Sequence, residues 1–172
     1  MSTATHRVAN SLAGVVVGLM VAATLVGCSA DRSTEAVEPT AAPEPEQTFN
    51  DVTGASEEYD AATVKYALPD GVTYPPAPFT DPDGQYQAGY GEGRVVFFWN
   101  CAWAKSYLAK QGVDEVGAAA ALEQYASVRD TDTFKLNWDP VSIQQPFEAA
   151  VEAAELGDPS AIQKDADINC TQ

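Results

Sequence analysis

From Val8 to Val26 the chain runs through 19 residues with almost no polar interruption, Arg7 standing before the run and Cys28 after it. A stretch of this kind does not belong on the surface of a domain in water. About 20 apolar residues cross a bilayer, so the segment is either a membrane span or the apolar centre of a leader that is cut away. Either way the residues after 28 are expected outside the cytoplasm, and the fold has to be built from them. Composition changes at once. From Ser29 to about Ser56 the chain is rich in Ala, Glu, Thr and Pro, including Pro39, Pro43 and Pro45, with scarcely a side chain large enough to bury. Such a segment cannot offset its own chain entropy by apolar burial, and its prolines favour an extended form. The expected organisation is therefore a leader over 1–27, a stalk over 28–56 and one folded domain over 57–172.

Leu25-Val26-Gly27-Cys28 closes the apolar run, and it resembles the lipobox of bacterial lipoprotein signal peptides. The small residues let a peptidase fit around the scissile bond, and the cysteine thiol is the nucleophile that accepts the lipid. The resemblance implies cleavage after Gly27, a lipid (palmitate among its acyl groups) on Cys28, and residence on the outer face of the cell membrane. The membrane is then the first expected partner, reached through the anchor.

With 25 acidic and 9 basic residues the formal charge is −16, and Arg7 would leave with the leader. Such a surface is repelled by nucleic acid and by anionic lipid heads, so no nucleic-acid partner is expected. The sole histidine, His6, is also in the leader. That excludes Ser-His-Asp and Cys-His catalysis from the remainder, together with histidine-ligated zinc, haem and copper sites. Gly89-Tyr90-Gly91-Glu92-Gly93 has the wrong spacing for a dinucleotide or phosphate loop. Neither catalytic residues nor a metal or cofactor are expected.

Periodicity predicts a mainly α fold of three to four helices. Between Val95 and Lys110, Phe97, Cys101, Ala104 and Leu108 share one face while Trp99, Trp103 and Tyr107 share another, so this helix should be central. Val95–Phe98 as a short strand is the lesser reading. A second helix, capped by Asp114, carries Ala118, Ala121, Leu122, Tyr125 and Val128 as its inner stripe. A third starts at Ser142 or near Pro146, buries Ile143, Phe147, Ala150, Val151 and Ala154, and stops at Gly157. Its Glu148, Glu152 and Glu155 read as a solvated face. A short last helix opens at Asp158-Pro159. Cys101 and Cys170 are left once Cys28 is lipidated, and in an oxidising compartment their one intramolecular pairing is the expected disulfide. A free nucleophilic thiol would need a base that is missing.

Ahead of these helices, Leu68 to Gly93 is rich in proline and glycine and reads as an extended strap. Turns are expected at Pro69-Asp70-Gly71 and Asp81-Pro82-Asp83-Gly84, and a short strand is an option over Val64–Leu68. Asp81, Asp83, Gln85 and Glu92 imitate four ligand positions of a calcium loop, but Tyr86 occupies the place of the required glycine, so a plain turn is expected. Tyr74, Phe79, Tyr86 and Tyr90 show no regular period. They are expected to pack on the Trp99-Trp103-Tyr107 face, with Tyr74, Tyr86, Tyr90, Trp99 and Trp103 as the alternative binding face for a sugar or proline-rich peptide.

Gly89-Tyr90, Phe98-Trp99-Asn100-Cys101-Ala102-Trp103, the Leu156-Gly157-Asp158 corner and the closing Asn169-Cys170 resemble uncharacterised exported or lipid-anchored proteins of actinobacteria. The resemblance spans about residues 66–170 and implies the helical fold and the disulfide, without an activity or a ligand. Two functions stand as expectations: a non-enzymatic surface module for a protein or envelope component, and, second, a small carboxylate-dependent hydrolase of envelope material.

Overall fold

The computed structural model describes residues 48–171. The expected lipidation site at Cys28 and the expected stalk up to residue 47 lie outside the described residues. In chain order the elements are β1 (Phe49–Asn50), α1 (Val52–Lys65), β2 (Tyr86–Gln87), α2 (Tyr90–Lys110), α3 (Glu115–Ala126), α4 (Gln145–Glu155) and α5 (Ser160–Asn169). The architecture is mainly helical, as expected, and Cys101 is bonded to Cys170 with their Cα atoms 5.4 Å apart.

The helix α2 is the centre of the fold and packs against α1, α3 and α5, while α4 lies against α3 and α5. Both of its apolar faces are largely covered: Trp99, Ala104 and Tyr107 are buried, and Cys101 is buried beside Ala166 of α5, whereas Phe97 is exposed at the end of its face. The helix starts at Tyr90, earlier than expected, so Val95–Phe98 are helical and Val95 and Val96 are fully buried. The strap accordingly ends at Gly89. A Cβ on Gly91 would overlap the Ala55 carbonyl and approach the Tyr59 nitrogen to 2.8 Å, so only glycine permits this crossing of α1 and α2.

The helix α1 corrects two expectations. It begins inside the segment assigned to the stalk, so ordered chain reaches back to Phe49, and the optional strand over Val64–Leu68 does not form. Its buried stripe is Ala55, Tyr59 and Ala62, continued by Tyr66 just past the end. Alanines carry little apolar signal, and Gly54 and Val64 lower the intrinsic preference for helix. Packing on α2 and a cap supply what propensity lacks: Asp51 Oδ1 accepts a hydrogen bond from Gly54 N at 2.8 Å.

The remaining helices obey their sequence signals with local differences. Asp114 caps α3 by accepting from Gly117 N at 3.0 Å, and the expected stripe from Ala118 to Val128 is buried. The start of α4 is at Gln145, with Pro146 in its first turn, and Ile143 is exposed where burial was expected. The reason is the preceding π-type turn, Pro140–Gln144, which is capped by Asp139, so of the two expected starts, Ser142 and Pro146, the second is the one observed. Gly157 ends α4 with a φ of 92°, and Asp158 accepts from Ser160 N to open α5.

The strap runs extended from Leu68 to Gly84, and both expected turns are present, closed by Val72 N on Pro69 O and Gly84 N on Asp81 O, each at 3.1 Å. Asp81 Oδ1 accepts from Asp83 N. Regular pairing was not expected in the strap, yet β2 forms a two-residue antiparallel ladder with β1, Phe49 opposite Gln87 and Asn50 opposite Tyr86.

Candidate functional site: an aromatic cleft beside the disulfide

The residues singled out as a binding face are dispersed. Trp99 and Trp103 both donate their indole N–H to the Ala67 carbonyl, at 2.9 and 3.1 Å, so the segment after α1 covers this face. Tyr74 packs on Phe98 with ring centroids 5.5 Å apart and donates its hydroxyl to Tyr66 O. Tyr86 and Tyr90 stack on each other at 5.9 Å and both contact Phe79. The strap aromatics thus bury one another in part, contrary to expectation, because two turns fold the strap back on itself. Tyr90 stays 47 % exposed at the edge of that cluster. Tyr107 belongs to another contact altogether, under Ala154 of α4.

Where the strap meets α2, two carboxylates serve the architecture. Glu58 accepts from Gly89 N at 2.9 Å, Gly91 N at 3.1 Å and the Asn50 amide at 2.5 Å. It thereby caps α2 from the neighbouring helix, a task Gly89 cannot perform with its own side chain. Glu92 accepts from Lys65 Nζ at 2.8 Å and from the Tyr66 hydroxyl at 2.7 Å. The Lys65 hydrogen bond holds the Glu92 carboxyl below the usual range, with Tyr66 adding to the effect against partial desolvation. Glu92 is thus committed to Lys65 and Tyr66, away from the turn at Asp81.

A different set of residues forms a cleft of about 460 Å³. Phe97, Asn100 and Cys101 of α2 make one wall, Phe147 and Ala150 of α4 another, and Lys164, Asp165 and Asn169 of α5 line the rim. Tyr125 lies deep inside and Trp138 stands at the mouth, partly exposed. The aromatic rings support one another: Tyr125 to Phe147 at 4.9 Å, Phe134 to Phe147 at 5.4 Å and Phe134 to Trp138 at 5.2 Å. Gln144 Nε2 donates to Phe134 O at 2.8 Å and Trp138 O at 2.9 Å, which fastens the irregular segment that carries Trp138. Asp139 Oδ1 holds the next turn by accepting from Ser142 N and Oγ, each at 2.7 Å. Those bonds from Ser142 keep the Asp139 carboxyl below its ordinary range.

Two polar groups sit on the floor. Asn100 is 7 % exposed and donates Nδ2 to the Tyr125 carbonyl at 3.1 Å. Tyr125 is 2 % exposed, and among the described residues its hydroxyl has no hydrogen-bond partner. No fully buried side-chain polar atom lacks a partner among the described residues, so that hydroxyl reaches open space, which is the cleft. Burial raises the Tyr125 pKa, as does the nearby Asp165 charge, so the phenol remains a neutral donor.

The expected binding face did not include this cleft. Asn100 was one signal for it, a polar residue within the most apolar stretch of α2, and Trp138 was another, an aromatic directly before the Asp139-Pro140 turn. Lys164 and Asp165 carry no signal of their own, since it is the packing of α5 on α2 and α4, together with the disulfide, that brings them to the cleft. A second cleft, about 360 Å³, lies across Phe97 between Val72, Phe98 and Lys105. A larger depression of about 810 Å³ between α3 and α4 is more open, and Ala118, Ala119, Ala126 and Ala154 are among its lining residues. Among the described residues no cluster of His, Cys, Asp and Glu could hold a metal ion, and no helix is long and apolar enough to cross a membrane. Compared with known proteins, the chain matches no family model, no curated protein and no solved structure.

Proposed function

We propose that the chain is a lipid-anchored module on the outer face of the cell membrane that binds a protein or envelope component without chemical turnover. The observation that carries the reading is the aromatic cleft, whose deepest polar groups are a phenol and an amide. Neither is a nucleophile with an attached base, and the chain beyond His6 has no imidazole to serve as one. The lipobox at Leu25–Cys28 supports the location.

A carboxylate hydrolase finds less support. Its mechanism needs two carboxyls across one site, one of them held above its ordinary range to act as acid. Asp165 is the carboxylate lining the cleft. Glu92, Asp139 and Asp158 are displaced in the opposite direction, each lowered by hydrogen bonds.

Metabolic labelling with a palmitate analogue in a lipoprotein-processing bacterium tests the anchor. The wild type is expected to incorporate label and fractionate with membranes, and Cys28→Ala to take up no label and to be either soluble or left with its leader uncleaved. Equal labelling and fractionation of the two would end the proposal.

A further inference from the structure

We infer that the cleft between α2, α4 and α5 is a binding site for a neutral sugar unit, an inference that rests on the binding-module reading and specifies its ligand. The groups that face the cleft limit the chemistry of its occupant. Tyr125 is nearly wholly buried, yet its hydroxyl has no partner among the described residues. A purely apolar occupant would seal that hydroxyl from solvent without a partner, a cost that an occupant with a hydrogen-bonding group avoids. The occupant therefore brings hydrogen-bonding groups of its own.

It is also uncharged. An anion would enter the field of a chain with formal charge −16, with Lys164 the cation at the rim and Asp165 next to it. A cation would meet Asp165 beside Lys164, and the floor offers no carboxylate to pair with it. What fits is a neutral ring with hydroxyl or amide groups at its edge and a C–H face for the aromatic walls. A pyranose has that form. Its face would lie against Trp138 and Phe147, an edge oxygen would accept from Tyr125, and outer hydroxyls would reach the Lys164 and Asp165 rim. A cleft of about 460 Å³ lies within the range of small-molecule sites.

The same geometry explains why Trp138 is fastened twice from below, by Gln144 and by the Asp139 turn. An aromatic wall contributes to affinity in proportion to how little it must be ordered on binding.

The test uses the full-length lipidated chain in detergent, titrated with maltose, cellobiose, mannobiose and di-N-acetylchitobiose while tryptophan fluorescence is monitored. Trp99 and Trp103 are held at Ala67, so a change at the cleft reports Trp138. At least one saccharide is expected to bind saturably, with affinity reduced about 5- to 10-fold in Tyr125→Phe, which removes only the hydroxyl. Trp138→Ala, which removes the reporter and is therefore followed by titration calorimetry, should lose about 10-fold or more. Near-UV circular dichroism of Tyr125→Phe checks the fold, and that variant decides the matter if Trp138→Ala misfolds. The site is overturned if none of the four saccharides binds, if both variants bind like the wild type, or if a proline-rich peptide alone produces the Trp138 response. Appearance of shorter saccharides would uphold the site and overturn the non-catalytic reading. Capture of an envelope protein unchanged by Tyr125→Phe, with no saccharide bound, would do the reverse.

Discussion

Glu58 ties together three parts of the chain by accepting from Asn50, Gly89 and Gly91. A carboxylate on one helix caps the next, and the Gly91 approach allows the two to come close enough. Because the capped N–H groups begin the central helix, losing them should be felt by the whole domain. Glu58→Ala is expected to cost about 2 kcal/mol, the sum of a lost cap and a partly buried set of donors left without acceptors. The neighbouring Glu57, which is exposed, serves as control, and Glu57→Ala should change stability by less than about 0.5 kcal/mol. Urea unfolding of both variants decides it; equal midpoints would remove Glu58 from this role. Asp51 and Asp114 cap within their own helices, and Asp114 is visible in sequence as Asp before a helical stretch. Glu58 is not, since its partners lie 31 and 33 residues away.

Among the elements, α5 depends most on covalent help. It buries Ile162 and Ala166, and the rest of its length is largely exposed. Closing the loop of sequence separation 69 stabilises the fold by roughly 4 kcal/mol in the chain-entropy model. The paired substitution Cys101→Ala with Cys170→Ala is expected to lower the urea midpoint by the equivalent of several kcal/mol and to expose α5 amides to hydrogen exchange before those of α2 and α3. Exchange that is equally fast in all three helices would show the bond to act on the whole domain at once. The elements with strong signals, α2 to α5, were legible apart from the starts of α2 and α4: their stripes follow the apolar period, and caps at Asp114 and Asp158 and the stop at Gly157 mark their ends. The helix α1 was not, because a stripe of Ala55, Ala62 and two tyrosines resembles the alanine-containing stalk before it until α2 is there to cover it.

At the scale of the whole molecule, tyrosine links stability to pH. Tyr59, Tyr66, Tyr74, Tyr107 and Tyr125 are all shifted above the ordinary 10.0, chiefly by burial, which penalises the phenolate. A group whose pKa is raised on folding contributes stability that is complete below its unfolded value and is lost as pH rises through the folded one. Stability against urea should therefore hold up to about pH 10 and fall steeply above it. Phenolate absorbance of these five should appear together with loss of helical circular dichroism. Full ionisation with the helices intact would mean the rings are more open than their burial indicates.

The sequence by itself determined the helical class, the course of α2 to α5, the turns of the strap and the pairing of the two cysteines. Each of these rests on a local period, a cap or the arithmetic of thiols. Only the tertiary structure decided that α1 exists, where the aromatic rings go, and that Asn100, Tyr125, Trp138 and Lys164 share one cleft. A cleft is made by residues distant in the chain. Trp138 reaches Tyr125 by way of Phe134 and Phe147, and α5 reaches α2 through apolar packing and a disulfide, so the direction each side chain takes is set by packing that no local pattern encodes.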